Sequence, residues 1–261
     1  MKLVLHILFL SIVFVSNAKI PELVKVIKEK PLKVYLNYSD EVFLLEKGII
    51  KKYNSQGVLM NTYGNIYIDN QTQVIGNNTF KTLLFCPDYG KIIELDKRLG
   101  EIDVIDIFKT GNYVITAAAP SYDNEFLWIW DMSTQRLIKL NAQQEPVYTS
   151  NTVSLATGTE IYPLSLQEIA THLIINDTAR GIFLFDNKGN YQKQLPLKNA
   201  LNVKMKGEVI YYIKQDILFS YDLKTFAETQ YAGAPFLKDM EVGQSILCGI
   251  RPDGFVEIWQ Y

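Results

Sequence analysis

The sequence predicts an all-β chain folded as a six-bladed β-propeller with four-stranded antiparallel blades. A short run of β-branched and aromatic residues ends six times in an apolar residue followed by Asp, Asn or Gln. These endings are Tyr53-Asn54, Leu95-Asp96, Trp130-Asp131, Phe185-Asp186, Tyr221-Asp222 and Trp259-Gln260, and the polar members are 42, 35, 55, 36 and 38 residues apart. A second strand-like run precedes each ending, from Val42, Thr82, Tyr113, His172, Val209 and Ser245. A two-strand unit at this period marks a repeat architecture, and propeller blades recur at roughly 40–45 residues.

Each unit reads as strands b and c of one blade. Units five and six show the remaining strands. After Tyr221-Asp222 comes a turn, then an alternating strand from Phe226 to Tyr231, a break at Gly233 to Pro235, and a strand around Phe236 to Met240. Period-two alternation between Gly, Pro, Asn and Asp clusters is the strand signature. The chain stops at Tyr261, directly after strand c of the last unit, so that blade lacks its outer strand. The alternating segment Leu23 to Lys28 precedes the first unit and has no other partner. It is expected to supply the missing strand and close the ring, because propellers avoid long free edges. Unit three is expected to carry the decoration: a long b–c link, Ala117 to Phe126, and an excess between Asn141 and Gln167.

Residues 1–18 read as a signal peptide: Lys2, an apolar run from Leu3 to Val15, then Ser16-Asn17-Ala18. The run is shorter than the roughly 20 residues of a spanning helix, and no Cys follows it. The expectation is a single propeller domain over residues 19–261, periplasmic or secreted, monomeric, and not inserted in the membrane after cleavage. The 243 mature residues supply about 40 per unit, enough for six blades and no second domain. The full chain's formal charge of −2, with no basic cluster, disfavours nucleic acid. Cys86 and Cys248 fall in units separated by unit one, and both are expected to be free, buried thiols.

The run Leu127 to Leu140, LWIWDMSTQRLIKL, resembles the third strand and following turn of a WD repeat. IFLFDNKGNYQKQL and IIELDKRLGEI are similar to parts of NHL-type and quinoprotein-type propeller repeats. The resemblance implies the fold alone. WD repeats carry a Gly-His pair bonded to the strand-end Asp, and this chain has only His6 and His172. Its strand-end Asp residues are therefore expected to act as turn and cap residues.

The same scarcity of imidazole excludes familiar chemistry. A Ser-His-Asp or Cys-His arrangement needs a histidine, and His172 opens an apolar strand. One His and two separated Cys do not make a zinc site. Pro87-Asp88 and Pro252-Asp253 look like the hairpins of six-bladed lactonase-type hydrolases, yet fit ordinary tight turns. The segments LKVYLNY, VIDIF and LNVKMK, taken as inner strands, offer no converging carboxylates. Trp128, Trp130 and Trp259 read as strand-c packing residues, and Asp177-Thr178-Ala179, which resembles an O-glycan acceptor, reads as a turn. No catalytic residue, metal or cofactor is assigned.

The functional expectation is a non-catalytic extracytoplasmic binding or scaffold propeller, contacting another protein of a bacterial cell envelope. The alternative is a channel-site hydrolase or lyase, metal-dependent and lactonase-like, acting on a sugar-derived substrate; a glycan-binding module is a third. The expected binding face gathers the long links around units three and four, where loops of unusual length tend to be functional. Its candidates are Tyr122, Asp123, Asn124, Glu145, Tyr148, Tyr162 and Arg180.

Overall fold

The computed structural model describes residues 21–76, 80–109, 111, 113–231 and 237–260. The signal-peptide segment and the break at Gly233 to Pro235 lie outside the described residues. Among the described residues, twenty-four strands form six four-stranded antiparallel sheets. Strand β1 (Glu22–Ile27) comes first. Blade one is β2 (Lys33–Leu36), β3 (Val42–Glu46), β4 (Ile49–Tyr53) and β5 (Leu59–Gly64). Blade two is β6 (Gln73–Ile75), β7 (Lys81–Cys86), β8 (Lys91–Asp96) and β9 (Glu101–Asp106). Blade three is β10 (Ile115–Pro120), β11 (Leu127–Asp131), β12 (Arg136–Leu140) and β13 (Pro146–Thr149), and a one-turn helix α1 (Val153–Thr157) follows it. Blade four is β14 (Ser165–Glu168), β15 (Leu173–Asp177), β16 (Gly181–Phe185) and β17 (Tyr191–Leu195). Blade five is β18 (Leu201–Lys206), β19 (Val209–Lys214), β20 (Ile217–Asp222) and β21 (Glu228–Gln230). Blade six is β22 (Lys238–Val242), β23 (Ile246–Ile250) and β24 (Val256–Gln260), completed by β1.

The middle strands of each blade are apolar because both of their faces are covered by neighbouring blades. In β15, Leu173 and Ile175 pack with Trp128 and Trp130 of blade three, whereas Ile174 packs with Met205 and Ile210 of blade five. The hydrophobic core is accordingly split into six layers, one between each pair of adjacent blades. Outer strands have one covered face and alternate, as in β17, where Tyr191, Lys193 and Leu195 are less exposed than Gln192 and Gln194.

The repeat's strand-end polar residue has one job. Asn54, Asp96, Asp186 and Asp222 each accept two backbone N–H groups of the following c–d turn, such as Arg98 N and Gly100 N, both at 2.7 Å from Asp96. Asn141 does the same, accepting Gln143 N at 3.0 Å and Glu145 N at 2.9 Å. Asp131 does not. It closes strand b and accepts Val114 N from the incoming link at 3.0 Å, as Asp177 accepts Tyr162 N at 2.9 Å.

This corrects the reading of unit three. LWIWD is strand b rather than c, so Trp128 and Trp130 sit in strand b, and Asn141 is the true counterpart of Asp96. The spacing becomes even, 45 residues from Asp96 to Asn141 and 45 more to Asp186. Strands b and c are both largely buried and apolar, so composition does not separate them; the exposed outer strand does. Ala117 to Pro120 is an inner strand rather than a loop, since Pro is tolerated at a strand edge. VIDIF is not an inner strand either: Val104 to Asp106 belongs to outer strand β9, and Ile107 and Phe108 form a 3-10 turn.

Strand β1 closes the ring against β24, with Glu22 opposite Gln260 and Ile27 opposite Val256. Asp40 reinforces the junction of blades one and six by accepting Ser245 N at 2.8 Å and Ser245 Oγ at 2.7 Å. Among the described residues no helix is long and apolar enough to cross a membrane.

Deleting residues 19–30 removes this outer strand. Each ladder hydrogen bond lost costs about 0.5–1.5 kcal/mol against a total stability of roughly 5–15 kcal/mol. The expected outcome is an unfolded or aggregated chain; a truncated protein that melts like the full mature form would contradict the closure.

Cys86 and Cys248 are free and buried in different layers. Burial raises the Cys86 thiol to about 11 and raises that of Cys248 as well. Both should resist thiol reagents until the protein is denatured, as measured by labelling and intact mass under non-reducing conditions. A mass lower by two hydrogens would contradict this.

Candidate functional site in the central channel

Strand direction alternates within a blade. The b–c turns and d–a links therefore emerge at one rim of the ring, and the a–b and c–d turns at the other. Strand a of every blade lines the channel and has no strand on its inner side. Its inward N–H and C=O groups need other partners.

In blades five, six and one those partners include polar side chains from other inner strands. Gln167 Oε1 accepts Met205 N of blade five at 3.2 Å. Asn202 Nδ2 donates to Met240 O of blade six at 2.9 Å. Asp239 Oδ2 accepts Val34 N of blade one at 2.7 Å. Lys204 Nζ donates to Leu36 O at 2.7 Å and is ion-paired with Glu241. Tyr35 OH donates to Thr72 O, at the entry to blade two, at 2.9 Å. Glu168 Oε2 accepts Tyr122 N of blade three at 2.7 Å.

Asn202 and Asp239 reach their partners because each sits at a register shift of its inner strand. Their φ angles are +48° and +46°, a left-handed conformation that Asn and Asp tolerate better than most residues. The two side chains meet at 3.2 Å between Asn202 Nδ2 and Asp239 Oδ1. A bulge that re-aims a side chain is a recurrent device at binding sites.

Blades two and three line the channel differently. Val74, Ile75, Gly76, Ala119 and Pro120 are small or apolar, and Pro120 lies against the Cα of Gly76 so closely that a Cβ there would come within 2.6 Å of its ring. A cavity of about 860 Å³ occupies the channel between the charged wall and this apolar one.

Burial raises the Glu241 carboxyl to about 7; Lys204 opposes the shift and Asp239 adds to it. Burial raises Asp239 as well, against its hydrogen bonds from Val34 and Asn202. Among the described residues no group of three or more His, Cys, Asp and Glu side chains is arranged to hold a metal ion.

The seven residues expected to share a face are divided. Tyr122, Asp123 and Asn124 form the a–b turn of blade three, and Glu145 its c–d turn, all at the a–b rim. Of these, Tyr122 and Asn124 line the cavity. Asp123 Oδ1 accepts Glu125 N at 3.1 Å, and Glu145 accepts Asn141 Nδ2 at 3.1 Å, so both serve their own turns. Tyr148 lies on the outer strand with its ring edge-on to Trp128, centroids 5.8 Å apart. Tyr162 and Arg180 are at the opposite rim, with the Arg180 guanidinium 4.8 Å from the Tyr162 ring centroid and Arg180 Nη1 3.2 Å from Asp177 Oδ2. The division follows from the strand reassignment, because Ala117 to Phe126 contains an a–b turn, not a b–c link.

The long insertion is folded rather than loose. Gln135 holds Ile161 through both amide atoms, at 2.7 and 3.1 Å, and Val153 and Ile161 are buried against blades three and four. His172 lies in the a–b turn of blade four, half-buried, with Nδ1 2.9 Å from Thr171 Oγ1.

The inner-strand set Asp239, Glu241, Lys204 and Asn202 is absent from the sequence expectation. Its signal is the alternating charge of LNVKMK and KDMEV, which reads equally well as a solvated strand face.

No protein-family model and no curated protein matches this sequence. Among solved structures the chain is similar to the Cps50 (Swd1) β-propeller domain of Myceliophteria thermophila, at 12% identity and TM-score 0.62, covering 92% of this chain and 99% of that one. It is similar to the Pan2 WD40 domain of Neurospora crassa, at 8% identity and TM-score 0.59, covering 88% and 89%. Catalytically inactive virginiamycin B lyase from Staphylococcus aureus, with quinupristin, aligns at 8% identity and TM-score 0.59, covering 91% of this chain and 98% of that one. At such identities the likeness is one of fold: the chain is a six-bladed β-propeller.

The raised carboxyl has a measurable sign. The folded chain holds the Glu241 proton up to about 7, whereas an unfolded glutamate releases it near about 4.3. Stability from this group is fully present below the unfolded value and is lost as pH rises toward 7; Asp239 has the same sign. Urea unfolding from pH 5 to 8 should show Glu241→Gln gaining on the wild type as pH rises. Parallel pH profiles would contradict the shift.

Proposed function

We propose that the chain is a non-catalytic binding propeller that docks another protein on its b–c rim. The observation that carries this is the set of large apolar side chains left exposed on consecutive d–a links of that rim. Ile66 is 82% exposed, Phe108 56%, Leu155 84% and Tyr162 48%. Exposed large apolar side chains on one rim, beside an aromatic–arginine pair, are the composition of protein-binding surfaces. Tyr162 and Arg180 supply that pair, held by Asp177 and Thr159. The composition of residues 1–18 supports placement outside the cytoplasm, in a bacterial envelope, and the reading takes the chain as a monomer with no nucleic-acid partner.

The second reading is a channel-site hydrolase or lyase. A carboxyl raised toward neutrality in a polar channel, as at Glu241, is what a general acid or base needs. Metal analysis separates its metal-dependent form from the binding reading, which a stoichiometric divalent ion would overturn.

The docking test is a triple variant, Ile66→Ser, Phe108→Ser and Tyr162→Ser. It should melt within a few degrees of the wild type, since all three side chains face solvent, and should lose whatever protein the wild type captures from an envelope extract. Normal capture by this variant, together with loss on replacing Tyr122 and Phe226 at the opposite rim, would overturn the assignment.

A further inference from the structure

We propose that the central channel binds a small amphipathic organic acid, its carboxylate held at the b–c end by Lys33, Ser165 and Gln167 and its apolar body laid along the wall of blades two and three. A cavity of about 860 Å³ falls within the roughly 300–1,000 Å³ of small-molecule pockets. What selects the ligand is the hydrogen-bonding capacity that the channel leaves over. The carboxylates of its inner strands are committed; Asp216, in the b–c turn of blade five, is a lining carboxylate with no such partner among the described residues. Asp239 uses one oxygen on Val34 N and the other on Asn202 Nδ2, Glu241 is paired with Lys204, and Glu168 holds Tyr122 N.

Its donors are not. Among the described residues the Lys33 ammonium has no hydrogen bond or ion pair, although it is half-buried. The Ser165 hydroxyl is likewise unengaged, and Gln167 uses only its oxygen, leaving its amide hydrogens free. Lys33 and Ser165 are the first residues of β2 and β14. Blades one and four stand opposite each other in a ring of six, so these donors face one another across the same end of the channel. A ligand rich in acceptors satisfies them; a cation does not. Burial lowers the Lys33 pKa against the pull of Asp239 and Asp69, which marks a partly desolvated ammonium that a carboxylate would stabilise.

The rest of the cavity fixes the body of the ligand. Val74 and Ile75 of blade two and Ala119 and Pro120 of blade three offer apolar surface. Tyr38 and Tyr122, from the a–b turns of blades one and three, stand at the far mouth, both partly exposed; burial and the neighbouring Tyr122 raise the Tyr38 hydroxyl. A free oxyanion without an apolar body would leave that wall wet.

The test uses 4-phenylbutyrate, the neutral 4-phenylbutanol and acetate as probes, titrated into the mature protein by calorimetry and followed by amide NMR. The acid should bind with affinity about tenfold or more above the alcohol, the size of one charge-assisted hydrogen bond, and acetate should bind weakest. Lys33→Met should bring the acid down to the alcohol, and Ser165→Ala, which perturbs the fold least, should weaken the acid alone. Shifts should appear at the Gln167 side-chain amide. Equal affinity for acid and alcohol, no binding of the acid at millimolar concentration, or an unchanged acid affinity in Lys33→Met would overturn the proposal.

Discussion

The inner edge of each blade is the constraint on which the rest of this structure depends. A four-stranded blade has two edges. The outer edges are β5, β9, β13, β17 and β21, and in blade six the N-terminal strand β1. The inner edges converge on a channel where strand pairing is geometrically impossible, and an unpaired backbone group there costs about as much as a lost hydrogen bond. Cross-blade side chains meet that demand. Gln167, Asn202, Asp239 and Lys204 each bond the backbone of another blade's inner strand. The same bonds fix how neighbouring blades sit, adding direction to apolar layers that have none.

That arrangement also shapes the cavity. Where inner strands bear long polar side chains, the wall is charged and filled; where they bear Val, Ile, Ala, Gly and Pro, space is left. The channel is therefore amphipathic by construction, and its inner-strand carboxylates are spent on structure while Lys33, Ser165 and Gln167 keep spare donors. The polar set of the channel and the exposed apolar side chains of the b–c rim are separate features, carried by the inner strands and by the d–a links.

Much of the fold was legible because the middle strands are buried on both faces. VFLL, TLLF and HLII can hardly be anything but covered strands, and the polar residue closing each c strand marks the turn that follows. Closure was legible too, since LVKVIK alternates and precedes the first unit without a partner. Unit three misled because Asp131 mimics the c-strand ending. Only the bonding partners show that it belongs with Asp177, and that shift of one strand moved Tyr122 to the opposite rim from Tyr162. The channel site was illegible for a different reason. Lys204, Asp239 and Glu241 alternate as a solvated edge would, and nothing in one strand reveals that five others converge on it.

Amide hydrogen exchange at Val34 tests the central claim most directly. Its N–H has no strand partner and points into the channel, yet Asp239 accepts it at 2.7 Å. The account predicts protection comparable to core amides of β3, lost at Val34 but retained in β3 when Asp239 is replaced by Ala. Exchange of Val34 at an open-loop rate in the wild type, or protection that survives Asp239→Ala, would contradict it.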